Sequence, residues 1–173
     1  MRLLILAATT LCVALSAGVT AGAQDKQNPP CSEPEARQFD FWAGNWEVHA
    51  KGKVAGYNLI TNIHGNCTLL EEYRSAGSQY EGRSFNYYDP GDDKWHQVWV
   101  DNGGLRLHIT GGFADGKMVM SGRRSVRGQE VIDRITWHDN DDGTVRQVWE
   151  QSQDEGKTWK SLFDGLYKRV AAE

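Results

Sequence analysis

Two segments of this chain repeat the tripeptide Gln-Val-Trp, at Gln97-Val98-Trp99 and at Gln147-Val148-Trp149. In an extended strand, residues of one parity share a face, so Trp95, Gln97, Trp99 and Asp101 point together, as do Gln147, Trp149 and Gln151. Amides set among indoles make a poor dry core, because an unpaired buried amide costs about 1–3 kcal/mol. They make a good lining for a polar, aromatic pocket. The same parity groups Glu71 with Leu69 and Tyr73, Asn86 with Ser84 and Tyr88, and Arg134 with Ile132 and Thr136. Turned inward, these faces supply a carboxylate, a guanidinium, several amides and stacking rings, which suits a small amphipathic or planar ligand carrying hydroxyls or a carboxylate. Turned outward, Gln97 and Gln147 meet solvent with Val98 and Val148 inside, and Arg134 and Glu71 equally make a buried pair that only satisfies itself.

Catalysis asks for a nucleophile and base, or paired carboxylates, converging in space. Glu71 and Asp101 are the candidate bases, with Arg134 to stabilise an anion, for a hydrolase or isomerase; Glu150 has the opposite parity to Trp149. Ser84 is a candidate nucleophile, but the sequence holds no G-x-S-x-G elbow, H-E-x-x-H pair, P-loop or dinucleotide fingerprint. No catalytic residue is therefore assigned. The histidines His49, His64, His96, His108 and His138 show no ligand spacing; a single axial histidine of a haem barrel stays open. No metal site or other cofactor is expected. A catalytic carboxylate in the pocket would have a raised pKa, a binding pocket would be a cavity of a few hundred Å³ without one, and a protein-binding module would pair a packed interior with an exposed apolar patch.

The elements that position these residues are marked by turns. Gly91, Gly103, Gly116, Gly128, Gly143 and Gly156 lie 12, 13, 12, 15 and 13 residues apart, most beside Asp or Asn, with an apolar or aromatic run between each pair. That ladder predicts consecutive β-hairpins. Ten strands are expected, at 45–51, 54–63, 67–74, 81–88, 94–101, 105–111, 117–122, 129–138, 144–152 and 159–169. An all-β antiparallel up-and-down meander of this length closes on itself or folds into two layers, because a flat sheet would leave bare edges. Ser32, Pro34 and two early glutamates predict one short N-terminal helix over 32–41, placed to plug a barrel end. The segment from Ser152 to Trp159 matches an S-x-D-x-G-x-T-W pattern found in sialidase-type propellers; it occurs once, and Asp154 is expected to organise a hairpin turn.

Residues 1–23 are predicted to be a signal peptide, since Arg2 precedes an apolar run and Ala21-Gly22-Ala23 forms an A-x-A site. Export to a periplasm or to the medium follows. Cleavage leaves 150 of the 173 residues: a flexible lead-in at 24–30 and one barrel domain at 31–173. The apolar run is too short to span a bilayer and no later segment replaces it, so no membrane span is expected. The net charge of −4 becomes −5 when Arg2 is removed, and the basic residues are scattered, which argues against nucleic acid. Cys12 leaves with the leader; Cys31 and Cys67 remain as an even pair, read as a disulfide in an oxidising compartment, with two reduced thiols as the alternative.

The run Phe39-Asp40-Phe41-Trp42-Ala43-Gly44-Asn45-Trp46 carries a G-x-W signature at the opening of the first strand. With the later G-x-C-x-L-x-E, S-F-N-x-Y-D, W-x-Q-x-W-x-D and R-Q-x-W-E-Q-S segments, it resembles a group of uncharacterised secreted bacterial proteins of the lipocalin-like, or calycin, barrel type. The resemblance implies a lipocalin-like closed barrel in which Trp46 shuts one end beneath a basic residue of the last strand, Arg169 or Lys168. The whole pattern points to an exported, monomeric or homodimeric barrel that binds a small-molecule ligand, with Glu71, Asn86, Tyr88, Gln97, Trp99, Arg134, Gln147 and Trp149 lining its cavity. The other readings are an enzyme in the same barrel and a protein-binding module of the cell envelope.

Overall fold

Period-two alternation between hairpin tips folds into ten strands in the computed structural model, described over residues 29–170. They are β1 (Gly44–Ala50), β2 (Lys53–Ile63), β3 (Thr68–Ser75), β4 (Glu81–Asp89), β5 (Lys94–Asp101), β6 (Arg106–Ala114), β7 (Lys117–Val126), β8 (Gln129–Asp139), β9 (Val145–Ser152) and β10 (Lys160–Arg169). Every strand pairs antiparallel with its chain neighbours and β1 pairs with β10, so the sheet is a closed up-and-down barrel. The expected leader at 1–23 and the lead-in through residue 28 lie outside the described residues, as do residues 171–173. Among the described residues, no helix is long and apolar enough to cross a membrane.

Three hairpins close through two residues that both take positive φ, at Lys51-Gly52, Asp115-Gly116 and Arg127-Gly128, the backbone that matches strand twist. The last two carry β6 and β7 beyond the expected ends at 111 and 122, because Ala114 pairs with Lys117 and Val126 with Gln129. Polar residues hide this extension in the sequence. Arg123, on the outer wall of β7, bonds Glu130 at 2.5 Å and Glu155 at 2.6 Å, so ion pairs rather than apolar alternation line the end of that hairpin.

The expected short helix is present over residues 34–42, in the form of two consecutive 3₁₀ turns, Pro34–Arg37 and Asp40–Trp42. Ser32 does not cap them, and a segment this short gains little from α-helical propagation. Phe39 and Trp42 lie three residues apart on one face, the spacing a 3₁₀ turn aligns, and both are fully buried. Their rings stack at 4.9 Å, and Phe39 meets Trp95 and Trp137 edge-on. Trp46 donates its indole N–H to the Trp42 carbonyl at 2.9 Å. The Arg169 guanidinium lies 4.2 Å over the Trp46 ring and donates to the carbonyls of Ala43 and Phe41. Full burial of each of these indoles contributes roughly 4–6 kcal/mol of transfer free energy, so the main core sits at this closed end. A disulfide between Cys31 and Cys67 ties the plug to the turn before β3.

Candidate ligand-binding site

The opposite end of the barrel is not filled. Trp99, Leu107, Ile135, Trp149 and Phe163 wall a cavity of about 210 Å³, and Glu71, Gln97, Gln147 and Tyr167 form its floor. Its rim includes Tyr80 and Leu162, both exposed, at the end where β3 joins β4 and β9 joins β10. The strands turn as the walls require: Gln97 and Trp95 are 2% exposed, whereas Val98 and Val100 face solvent at 38% and 50%. Two glycines on the inner face shape the site. A β-carbon at Gly82 would collide with the Trp99 indole, and one at Gly165 with the Phe163 ring, so both rings lie directly against backbone.

Beneath the walls runs a buried hydrogen-bond network centred on Glu71. Ser84 donates its hydroxyl to Glu71 at 2.6 Å and Asn58 donates its amide at 2.8 Å. Ser84 in turn accepts from Asn86 and Gln97, and Gln97 donates to the Asn86 carbonyl oxygen at 2.9 Å. Tyr167 donates to Gln147 and accepts from Asn58. Two groups stay unspent among the described residues: Gln97 Oε1 and Gln147 Nε2 have no hydrogen-bond partner in the protein. Burial pushes the Glu71 carboxyl up to about 7, against the opposing bonds from Ser84 and Asn58. Burial likewise raises the Tyr73 and Tyr167 phenols, so both stay neutral beside it.

Of the eight residues expected to line the cavity, Glu71, Gln97, Trp99, Gln147 and Trp149 meet there. Asn86 lies one layer behind, reaching the cavity through Gln97 and Ser84. Tyr88 sits toward the closed end, with its hydroxyl on Asp93 at 2.6 Å and its ring near Trp95. Arg134 does not join them: it is on the outer wall, bonded to Glu150 at 2.8 Å and stacked 3.8 Å over Trp159. The inward face of β8 is the other parity, Val131, Asp133, Ile135 and Trp137, all nearly or fully buried. That alternation of apolar residues interrupted by one aspartate was available in the sequence. The guanidinium that does enter the barrel is Arg124, which bonds Asp133 at 2.6 Å.

The rings of the two tryptophans are pinned by their edges. Trp99 donates to Asp101 at 3.0 Å and Trp149 to Asp133 at 2.8 Å. Asp101 also accepts from Tyr80 and from the Gly103 and Leu105 amides. Burial pushes its carboxyl up, but the bonds from Trp99, Tyr80 and these amides outweigh it and hold the group below the usual range, which makes it a weak base. Ser84 has an acid rather than a histidine as its hydrogen-bond acceptor. In the Ser152–Trp159 hairpin, Asp154 accepts from the Thr158 amide and hydroxyl and from Ser152. It organises the turn.

One group of side chains brings three metal-ligating atoms within 4.8 Å of one another, Asp89, Asp92 and His96, on the outer surface beside the β4–β5 turn. Its donors are engaged with each other and with the turn: Asp92 meets His96 Nε2 at 3.1 Å, and Asp89 accepts from the Gly91 amide at 2.8 Å. Spacing across a turn concealed it in the sequence. The outer wall also exposes Phe85 and its cross-strand partner Val98, with Leu59 and Val100 nearby.

The class of protein that these features define is a closed ten-stranded antiparallel barrel with a buried aromatic cluster at one end and a polar-floored cavity at the other. No protein-family model matches the chain, and no curated protein matches it. The site's own chemistry therefore carries the functional argument.

Proposed function

We propose that this chain is an exported barrel of the calycin type that binds a small molecule in the cavity above Glu71. The observation that carries the reading is an aromatic-walled cavity whose floor holds an acceptor and a donor, Gln97 Oε1 and Gln147 Nε2, that the protein leaves unspent. Neither atom is among the buried unpaired groups of the described residues, so both are reached from the cavity and are available to orient a ligand. At about 210 Å³ the cavity is smaller than the ~300–1,000 Å³ of drug-sized sites, which favours a ligand the size of a substituted ring over a long lipid chain. Export belongs to the same proposal, supported by the leader-like residues 1–23 and by the Cys31–Cys67 bridge, which suits an oxidising compartment.

Native mass spectrometry of the mature protein, purified from its exporting host without denaturation, tests the reading. An added mass that disappears on unfolding, and that falls in Trp99→Phe and Trp149→Phe variants, is the expected result. An apo mass, together with unchanged binding of any candidate ligand in both variants, removes the cavity from function.

A second reading is favoured by one observation, the rise of the Glu71 carboxyl to about 7, which is what a general base needs. Glu71 would then abstract a proton from a bound substrate. The assignment of Arg134 as the anion stabiliser does not fit, because Arg134 is on the outer wall. Incubation with a bound ligand in D₂O separates the readings: solvent deuterium incorporated by wild type and not by Glu71→Gln supports the enzyme, and none in either supports binding alone.

A further inference from the structure

We propose that the ligand is a small cation, an aryl or alkyl ammonium, held among the rings of Tyr73, Tyr80, Trp99 and Trp149 with the Glu71 carboxylate beneath it. The inference rests on the cavity being a binding site and names the class of ligand it takes. Tyr73, Tyr80, Trp99, Trp149, Phe163 and Tyr167 all line the cavity, an enclosure of the kind that recognises ammonium groups through ring quadrupoles. Trp99 and Trp149 each give their indole N–H to a carboxylate, which fixes the rings in place and pushes electron density into them. Both effects favour a cation.

The floor agrees with the walls. The hydroxyl of Ser84 and the amide of Asn58 both donate toward Glu71, so the network is arranged to hold a carboxylate, which is the form present at pH 8, above the value of about 7 to which burial raises the group. Among the described residues no unpaired cation faces the cavity: Arg134 lies outside against Glu150, and Arg124 is held by Asp133, which is 1% exposed. A ligand carboxylate would find a negative floor and no counter-charge. A ligand ammonium would pair with Glu71 and offset the desolvation that the buried carboxylate suffers alone. The chain's net charge of −4 adds a weak field of the same sign.

Three probes of matched size and different charge test the class: 2-phenylethylamine, 2-phenylethanol and phenylacetate, titrated calorimetrically into the mature protein at pH 8 and low salt. The amine is expected to bind about tenfold or more tighter than the alcohol, with phenylacetate weakest. Glu71→Gln should bring the ratio of amine to alcohol affinity from about tenfold to about one. If that variant does not fold, Trp99→Leu and Trp149→Leu carry the test, each weakening the amine more than the alcohol. Equal binding of amine and alcohol, or tightest binding of phenylacetate, overturns the cationic class and leaves the cavity as a binding site. Failure of all three to bind at millimolar concentration overturns the class together with the reading it rests on.

Discussion

Replacing Glu71 by Gln removes one buried charge with almost no change of shape, and the pH dependence of folding reads out what that charge costs. Glu71 is 3% exposed, and burial raises its carboxyl from 4.5 to about 7. Between those values the folded protein holds a proton that the unfolded chain has released. The contribution to stability is fully present below about pH 4.5 and is lost as pH rises through 7. One pKa unit corresponds to about 1.4 kcal/mol, so the wild type forfeits about 3 kcal/mol by pH 8. Glu71→Gln forfeits none of it. Its new amide also has somewhere to bond, because Asn58 Oδ1 is buried without a partner and a flip of the Asn58 amide turns it toward position 71. Urea unfolding of both proteins at pH 4.5, 6, 7 and 8 is the assay. Tyr73 and Tyr167 stay neutral throughout and the Arg124–Asp133 pair is common to both proteins, so neither contributes to the difference. The expected difference shifts toward the variant by about 3 kcal/mol from pH 4.5 to 8. A difference that is flat across this range refutes the reasoning, since it means that the bonds from Ser84 and Asn58 compensate the burial in full.

The same carboxyl predicts that a cation whose charge does not titrate, benzyltrimethylammonium, binds about tenfold tighter at pH 8 than at pH 6, following the ionised fraction of a group near pH 7; pH-independent affinity counts against it. Replacing both Cys31 and Cys67 by Ser is expected to destabilise the fold by about 4 kcal/mol for a separation of 36 residues, measured by urea unfolding, and an unchanged midpoint would show that the bridge restrains nothing. Arg134→Ala should leave probe affinity within about twofold and lower stability by about 1 kcal/mol, because it removes a partly exposed ion pair and one ring contact. A tenfold loss of affinity in that variant would contradict its place on the outer wall.

The barrel was legible because its signals are local. Turn residues such as Asp115-Gly116 and the strict alternation in Trp95-His96-Gln97-Val98-Trp99 state their geometry within a few residues. The site was legible only where alternation had one sensible answer. On β8 it has two, and the expectation of an inward Arg134 selects the face opposite to that of Val131, Asp133, Ile135 and Trp137, although the second is far more apolar. Asn58 and Tyr167 were out of reach for a different reason. They meet because β2 and β10 flank β1 in the closed sheet, a neighbourhood created by closure between residues more than a hundred positions apart. The cavity itself depends on which inner positions lack a side chain, and Gly82 and Gly165 look like any other strand glycines until the rings lying on them are seen.

The pairing of the first strand with the last sets the order in which this chain can fold. Trp46 pairs with Asn58 on β2 but finds its partner on the other side, Arg169, only in β10, so the sheet has two open edges until that strand is in place. Contacts of such long separation form late and slowly. A chain that lacks β10 can therefore form hairpins but no barrel, and its Trp46 lacks the guanidinium that covers the ring. The pairing of β1 with β10 is thus the step that turns a row of hairpins into a barrel and removes both edges of the sheet at once.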